Sequence, residues 1–165
     1  MPTPEFVLRL REKIGHDQLW LPGVSVVVVD DAGRVLLGRR SDTGRWSIID
    51  GIPEPGEQPA AAAARECEEE AGVRPEILAV VAVETEEPTV YPNGDRCVFL
   101  DIGFVARVGA ERAAAAGVGD GELTAVAWFA PDALPEPLTP HASARIAAAR
   151  AWLADPTTPA RFRLR

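Results

Sequence analysis

The sequence predicts a mixed α+β domain, and three observations carry that expectation. Short runs of β-branched and apolar residues alternate irregularly with alanine-rich stretches of helical length. Clusters of Gly, Pro and Asp separate them. Finally, 165 residues that are 47% hydrophobic and 25% charged suffice for one ordinary hydrophobic core. With no repeat or interdomain linker along the chain, one domain over residues 1–165 is expected.

The elements follow in order. Thr3-Pro4-Glu5 reads as a helix start, with a capping hydroxyl, a proline at the first helical position and an acid in the first turn. Phe6, Leu10 and Ile14 recur every four residues and Gly15 stops the helix, placing it at about 3–15. Val24 to Asp30 reads as a strand, Asp30 to Gly33 as a turn, and Arg34 to Arg39 as the returning strand of a hairpin. Asp42 to Gly56 is rich in Gly, Pro and Asp and is expected as loop. The alanines from Pro59 to Ala71 demand a helix, which Gly72 ends. Ile77 to Glu84 and Cys97 to Val108 read as strands flanking a turn at Tyr91 to Asp95. Gly117 to Glu122 is an acidic loop before a strand from Thr124 to Ala130. Thr139-Pro140 opens a last helix to about Ala154, with Ile146, Trp152 and Leu153 inward, and the basic tail from Pro156 to Arg165 is expected to be loosely held.

Charge narrows the function. A net charge of −8, from 25 acidic and 17 basic residues, argues against a nucleic-acid backbone as partner, which calls for clustered Lys and Arg. Cys67 and Cys97 are the two cysteines and form no C-x-x-C pair, so neither a zinc nor a disulfide framework is expected. The apolar run from Val24 to Val29 is too short to span a bilayer, and there is no basic-then-apolar leader. The expectation is a cytoplasmic protein without membrane contact.

The chemistry concentrates in the stretch GIPEPGEQPAAAAARECEEEAGV, residues 51 to 73. At roughly 100° per residue, Glu66, Glu69 and Glu70 share one arc of the helix. Glu68 falls on the other side, and Ala60, Ala64, Cys67 and Ala71 form a small apolar stripe. Like charges at such spacing repel. Hard divalent cations favour the arrangement, because they take several carboxylate oxygens from a rigid element, and Mg²⁺ fills its remaining positions with waters and substrate phosphates. A solvated acidic face is the competing interpretation of any glutamate-rich helix. Glu57, just upstream, is placed to pair with Arg65, whose planar fork matches a carboxylate.

The spacing Gly51-x5-Glu57-x7-Arg65-Glu66-Cys67-x-Glu69-Glu70-x-Gly72-Val73 resembles the signature of the Nudix hydrolases at every fixed position. With a background near 7% at each of the fixed identities, chance agreement is on the order of 10⁻⁸ per start site. The resemblance covers about residues 20 to 135: Gly23 to Arg39 is similar to the family hairpin, Gly44-Arg45-Trp46 to the G-x-W that enters the box, and Ala127-Trp128-Phe129 to a late W-F strand. It implies an α/β/α sandwich with a mixed sheet, to which the N-terminal helix is an addition. One departure stands out: Ile48-Ile49-Asp50-Gly51 replaces the usual Leu-Pro-Gly-Gly.

By this resemblance the reaction is hydrolysis of a diphosphate bond in a nucleoside diphosphate attached to another group, with Mg²⁺, or Mn²⁺ in its place, as the ion. The resemblance implies Glu69 and Glu70 as primary ligands, Glu66 as third ligand or general base, the Gly51 carbonyl as backbone ligand, and Glu57 and Arg65 as the pair holding loop to helix. Glu122, with Asp120 as second choice, is the candidate base from a late loop. Arg39, Arg40 and Arg45 are candidates for phosphate contacts or for plain surface solubility, and Trp46 for stacking on a nucleotide or for core packing. His16 and His141 are expected to stand alone without partner acids and to be structural. Cys67 is expected as an inert packed thiol. Pro88 is similar to a family cue for ADP-ribose and Tyr91 to one for dinucleoside polyphosphates. ADP-ribose or a nucleotide sugar is favoured, a nucleoside triphosphate, oxidised dNTPs included, or a dinucleoside polyphosphate is the enzymatic alternative, and a non-catalytic ligand sensor is the alternative of another class. The extra helix and the family's habits suggest a homodimer.

Overall fold

Among the described residues, eight strands make one mixed sheet with a helix packed on each face. The computed structural model describes residues 3–91, 93–119 and 121–164. In chain order the elements are α1 (Glu5–Ile14), β1 (Leu19–Val29), β2 (Val35–Arg40), β3 (Trp46–Ser47), β4 (Ile49–Gly51), α2 (Pro59–Ala71), β5 (Glu76–Thr85), β6 (Thr89–Val90), β7 (Arg96–Arg107), α3 (Ala110–Ala113), β8 (Leu123–Phe129) and α4 (Pro140–Ala154).

The valine run of β1 explains its central place. It pairs in parallel with β7 from Leu19↔Cys97 to Val29↔Arg107, and a strand covered on both faces needs apolar residues without alternation. Val24, Val26 and Val28 pack with Ala62, Ala63 and Cys67 of α2, whereas Val27 and Val29 pack with Ile146 and Ala149 of α4. The period of two along the strand thus assigns alternate valines to two separate cores.

The expected hairpin forms, then splays. β2 meets β1 at Val29↔Val35 and continues instead beside β8, from Val35↔Phe129 to Arg40↔Leu123. The segment expected as loop fills the gap with β3 and β4, and β4 pairs with β1 at Val24↔Gly51, Ser25↔Asp50 and Val26↔Ile49. Ile48 and Ile49, 2% and 1% exposed, drive this: the Gly and Pro around them masked two residues that each need a core.

Two terminal expectations also change. The N-cap of α1 is Pro4 with no side-chain cap, and its buried residue is Val7, packed with Leu21 and Cys97, while Leu10 stays 37% exposed. The C-terminal tail is pinned rather than loose. Arg161 exchanges backbone hydrogen bonds with Val81 and Val83 along β5, and its Nε donates to Glu84 Oε1 at 2.9 Å.

On the α4 side lies a buried ionic cluster. Arg145, 1% exposed, donates from Nε to Asp101 Oδ2 at 2.9 Å, from Nη1 to Glu84 Oε2 at 2.5 Å and from Nη2 to Glu86 Oε1 at 2.9 Å. Ser25 Oγ donates to Asp101 Oδ2 at 2.7 Å. Gly103 makes room for the arginine, since a Cβ there would stand 2.9 Å from Arg145 Cδ. Truncating one member of such a group leaves uncompensated charge in the core. Arg145→Ala is expected to destabilise the protein by about 3–5 kcal/mol in urea titrations; an unchanged midpoint would show that the cluster contributes nothing to folding.

Candidate active site

The acidic helix is built to lie close to the sheet. Pro59 occupies its first turn and Gly72 ends it in the left-handed conformation at φ 68°, where the amides of Gly72 and Val73 donate to the carbonyls of Glu68 and Cys67. Ala62, Ala63, Cys67 and Ala71 have no exposed surface, so small side chains set a short helix–sheet distance. Burial pushes the Cys67 thiol up, as expected of an inert packed cysteine.

That close approach buries two of the acids. Glu66 is 1% exposed and Glu70 5%, so both flank the apolar stripe and turn inward. Glu68 lies on the opposite side, paired with Arg74 at 2.6 Å. Glu69 stays half exposed at 46% and accepts from Arg65 Nη1 at 2.9 Å.

Arg65 ties the loop to the helix. Its Nε and Nη2 donate to the two oxygens of Glu57 at 3.0 and 2.9 Å, a two-pronged pair, and Nη2 also reaches the Ile52 carbonyl at 3.5 Å. Glu57 in turn accepts from the Glu54 amide at 3.0 Å. The hydrogen bond from Arg65 holds the Glu57 carboxyl below its ordinary range, and Glu57 raises the arginine.

Glu66 is the anomaly. Arg65 Nη1 stands 2.9 Å from its Oε1 without hydrogen-bond geometry, and both carboxylate oxygens are buried with no hydrogen-bond partner. Burial pushes its pKa up to about 7, with the Arg65 charge acting against the rise and Glu69 adding to it. Gly51 lies directly against it: a Cβ at residue 51 would collide with the Glu66 side chain. The fixed glycine of the box therefore has a steric reason, which is to leave space for an acid. Hard, oxygen-accepting, buried and lacking donors, this carboxylate has the character of a ligand for a divalent cation. Among the described residues, no group of three or more His, Cys, Asp or Glu side chains converges as a ready cage, and Glu69 is drawn to Arg65 instead.

A second cluster, which the sequence did not reveal, adjoins the first through Asp50. Ser47 Oγ donates to Asp50 Oδ2 at 3.3 Å, Arg40 Nη1 to Oδ1 at 3.5 Å, and His141 Nε2 lies 3.5 Å from Oδ2. Burial acts to raise Asp50, but His141, Arg40 and Ser47 outweigh it and hold the carboxyl below its ordinary range. His141 is raised although burial opposes this, because Asp50, Glu86 and Asp101 favour its charged form. Arg40 forks onto Asp42 at 3.0 and 2.9 Å and also feels the charges of Asp50 and Glu70. The two histidines are corrected here. His141 has Asp50 and His16 has Asp95, at 2.9 Å, both supplied by distant parts of the chain.

Other candidates fall elsewhere. Arg39 Nε donates to the Gly44 carbonyl at 3.1 Å and Arg45 Nη1 to the Leu138 carbonyl at 3.1 Å, both exposed. Trp46 packs in the α4-side core, edge-on to Phe129 with ring centres 5.0 Å apart, on the sheet face opposite α2. It serves the core, which was the competing expectation for it. Glu122 directly precedes β8, and its carbonyl accepts from the Ser41 amide at 2.8 Å. Asp120 lies outside the described residues.

The raised Glu66 predicts a pH dependence. The folded protein keeps this proton up to about pH 7, whereas an unfolded chain releases it near 4.5. The folded state therefore binds the extra proton in this interval, and stability present below pH 4.5 falls as pH rises through 7. In chelator, Glu66→Gln is expected to remove a decline on the order of 1–3 kcal/mol between those pH values. Parallel stability curves for the two proteins would contradict the assignment.

Comparison with known proteins bears on the family and the fold. Residues 19–150 match the family model of the NUDIX domain. The chain is 38% identical over 121 residues to a MutT-like protein of Streptomyces ambofaciens, covering 68% of this chain and 66% of that one. It is 41% identical over 87 residues to an RNA pyrophosphohydrolase of Roseobacter denitrificans, covering 52% and 49%. The chain thus spans about half to two thirds of the length of these relatives. Its structure resembles the NUDIX domain of Shewanella oneidensis NrtR complexed with ADP ribose, with a TM-score of 0.65 at 21% identity over 93% of this chain and 99% of that one, a likeness of fold. With most of its length matched and the box complete, the chain belongs to the NUDIX domain family.

Proposed function

We propose that this protein hydrolyses the diphosphate bond of a nucleoside diphosphate linked to another group, with a divalent cation, Mg²⁺ or alternatively Mn²⁺, and with ADP-ribose or a related nucleotide sugar as the favoured substrate class. The observation that carries the proposal is the buried Glu66 carboxylate, close to Arg65 yet with neither oxygen in a hydrogen bond, set against a glycine that makes room for it. A solvated acidic face would have its oxygens in water.

Glu66, Glu69, Glu70 and the Gly51 carbonyl would hold the ion, with Glu69 leaving Arg65 to do so. The ion supplies charge neutralisation at the phosphates and a more acidic water. The chain does the rest. The Glu57–Arg65 pair fixes the loop that follows Gly51. Arg40, in contact with Asp50 and within the field of Glu70, offers positive charge to a phosphoryl oxygen. Glu122 takes the proton of the attacking water, with Glu66 as the other group suited to it. The water oxygen joins one phosphorus, the bridging oxygen leaves with the other, and two phosphate-ended products separate.

A second substrate reading has an observation of its own. Tyr91 is 38% exposed, and its phenol, raised by partial burial and by Cys97, also feels the charges of Arg40 and Asp50. Pro88 is simply exposed. This favours a dinucleoside polyphosphate as the alternative to the nucleotide sugar. In the relatives, an RNA pyrophosphohydrolase and a domain holding ADP ribose, related anhydride ligands recur.

The deciding experiment is a panel of nucleotide sugars, dinucleoside polyphosphates and nucleoside triphosphates with Mg²⁺ or Mn²⁺, with products weighed by mass spectrometry. Cleavage within the diphosphate bridge is expected, and silence across the panel would favour a ligand sensor. Glu70→Gln should abolish metal-dependent turnover while leaving the urea midpoint in place; near-normal activity would refute the metal role of this helix.

A further inference from the structure

The last carbonyls of an α-helix lack intrahelical donors. On α2 these include the carbonyls of Glu70, itself a candidate ligand, and of Ala71 next to it. The Glu70 carbonyl accepts from the Gly119 amide at 2.9 Å and the Ala71 carbonyl from the Gly117 amide at 3.0 Å. The connection between β7 and β8 is thus laid along the end of the acid-bearing helix by its own backbone. From there it runs to Glu122, whose carbonyl is held by the Ser41 amide, one residue beyond Arg40. Glu122 is thus fixed at its own carbonyl to the end of β2, and Gly119, three positions earlier in the chain, is fixed to the end of α2.

The two glycines differ in one respect. A Cβ on Gly117 would meet nothing nearer than the Ala115 carbonyl oxygen at 4.0 Å. A Cβ on Gly119 would overlap the Glu69 carbonyl oxygen and press on the carbonyl carbons of Glu69 and Glu70. The overlap is with helix backbone, which cannot swing aside as a side chain can. Any residue other than glycine at 119 must lift the connection off the helix, whereas alanine at 117 leaves it seated.

We propose that Gly119 is a positioning residue: its missing side chain lets the β7–β8 connection dock on α2, and this docking sets where Glu122 stands relative to Glu66 and Glu70. The role presupposes the hydrolase proposed above. The contact is specific to backbone, so no charge pattern along the sequence marks it.

The test compares Gly119→Ala, Gly117→Ala, Glu122→Gln and the double variant Gly119→Ala/Glu122→Gln, reading kcat, KM and Mn²⁺ affinity by calorimetry. Loss of a general base lowers turnover by about 10²–10⁴-fold. Glu122→Gln should fall in that range. Gly119→Ala should lose at least about tenfold in kcat with Mn²⁺ affinity within about twofold of wild type, Gly117→Ala should be unaffected, and Gly119→Ala should cost under about twofold more once Glu122 is already Gln. Full kcat in Gly119→Ala, or losses that multiply in the double variant, overturns the proposal. Amide hydrogen exchange on the unsubstituted protein serves if Gly119→Ala fails to fold: slow exchange at Gly119 supports the docking and fast exchange overturns it. Absence of metal-dependent turnover in the wild type would instead refute the hydrolase, with the exchange measurement still deciding the docking.

Discussion

The site depends on a carboxylate in the wrong place for water. Glu66 sits in the contact between α2 and β4, where alanines bring helix and sheet close and Gly51 leaves a hollow for it. A charged group so enclosed is costly unless something compensates it. Arg65 supplies proximity without a hydrogen bond, so the acid answers by holding its proton. A bound cation would replace that proton. The repulsion among clustered acids, unfavourable for the helix alone, then becomes the source of metal affinity, and a rigid helix keeps the acids from relaxing away.

The sheet separates this chemistry from its support. On the α2 face at one end lie Glu66, Glu70 and Gly51. On the α4 face at the same end runs a polar belt across β4, β1, β7 and β5, formed by Asp50, Ser25, Asp101 and Glu84 and covered by His141 and Arg145. Since side chains alternate along β4, Asp50 faces the belt while Gly51 faces Glu66. Asp50, which departs from the family's usual glycine, thereby links the strand that presents Gly51 to the first turn of α4.

Much of this was legible in the sequence where the signal is local. The box spacing gave the helix, its stop at Gly72, and the pairing of Glu57 with Arg65, because these need only a loop and a helix of fixed length. The valine run marked a doubly covered strand. What escaped was set by distant residues. β4 was hidden by flanking Gly and Pro and exists because β1 and β2 splay apart. His141 and Asp50 are 91 positions apart in the chain, so no window joins them. Trp46 and the arginines at 39 and 45 were ambiguous by type, and only the sheet face or a carbonyl partner resolves them. The seating of Gly119 involves no side chain at all.

The most direct measurement is a crystal structure of the protein with Mn²⁺ and a non-hydrolysable nucleotide, collected at a wavelength where manganese scatters anomalously. The account predicts a peak bounded by Glu66, Glu70 and the Gly51 carbonyl, with Glu69 released from Arg65 toward it. A manganese peak elsewhere, with the Glu66 oxygens still bare, would contradict it.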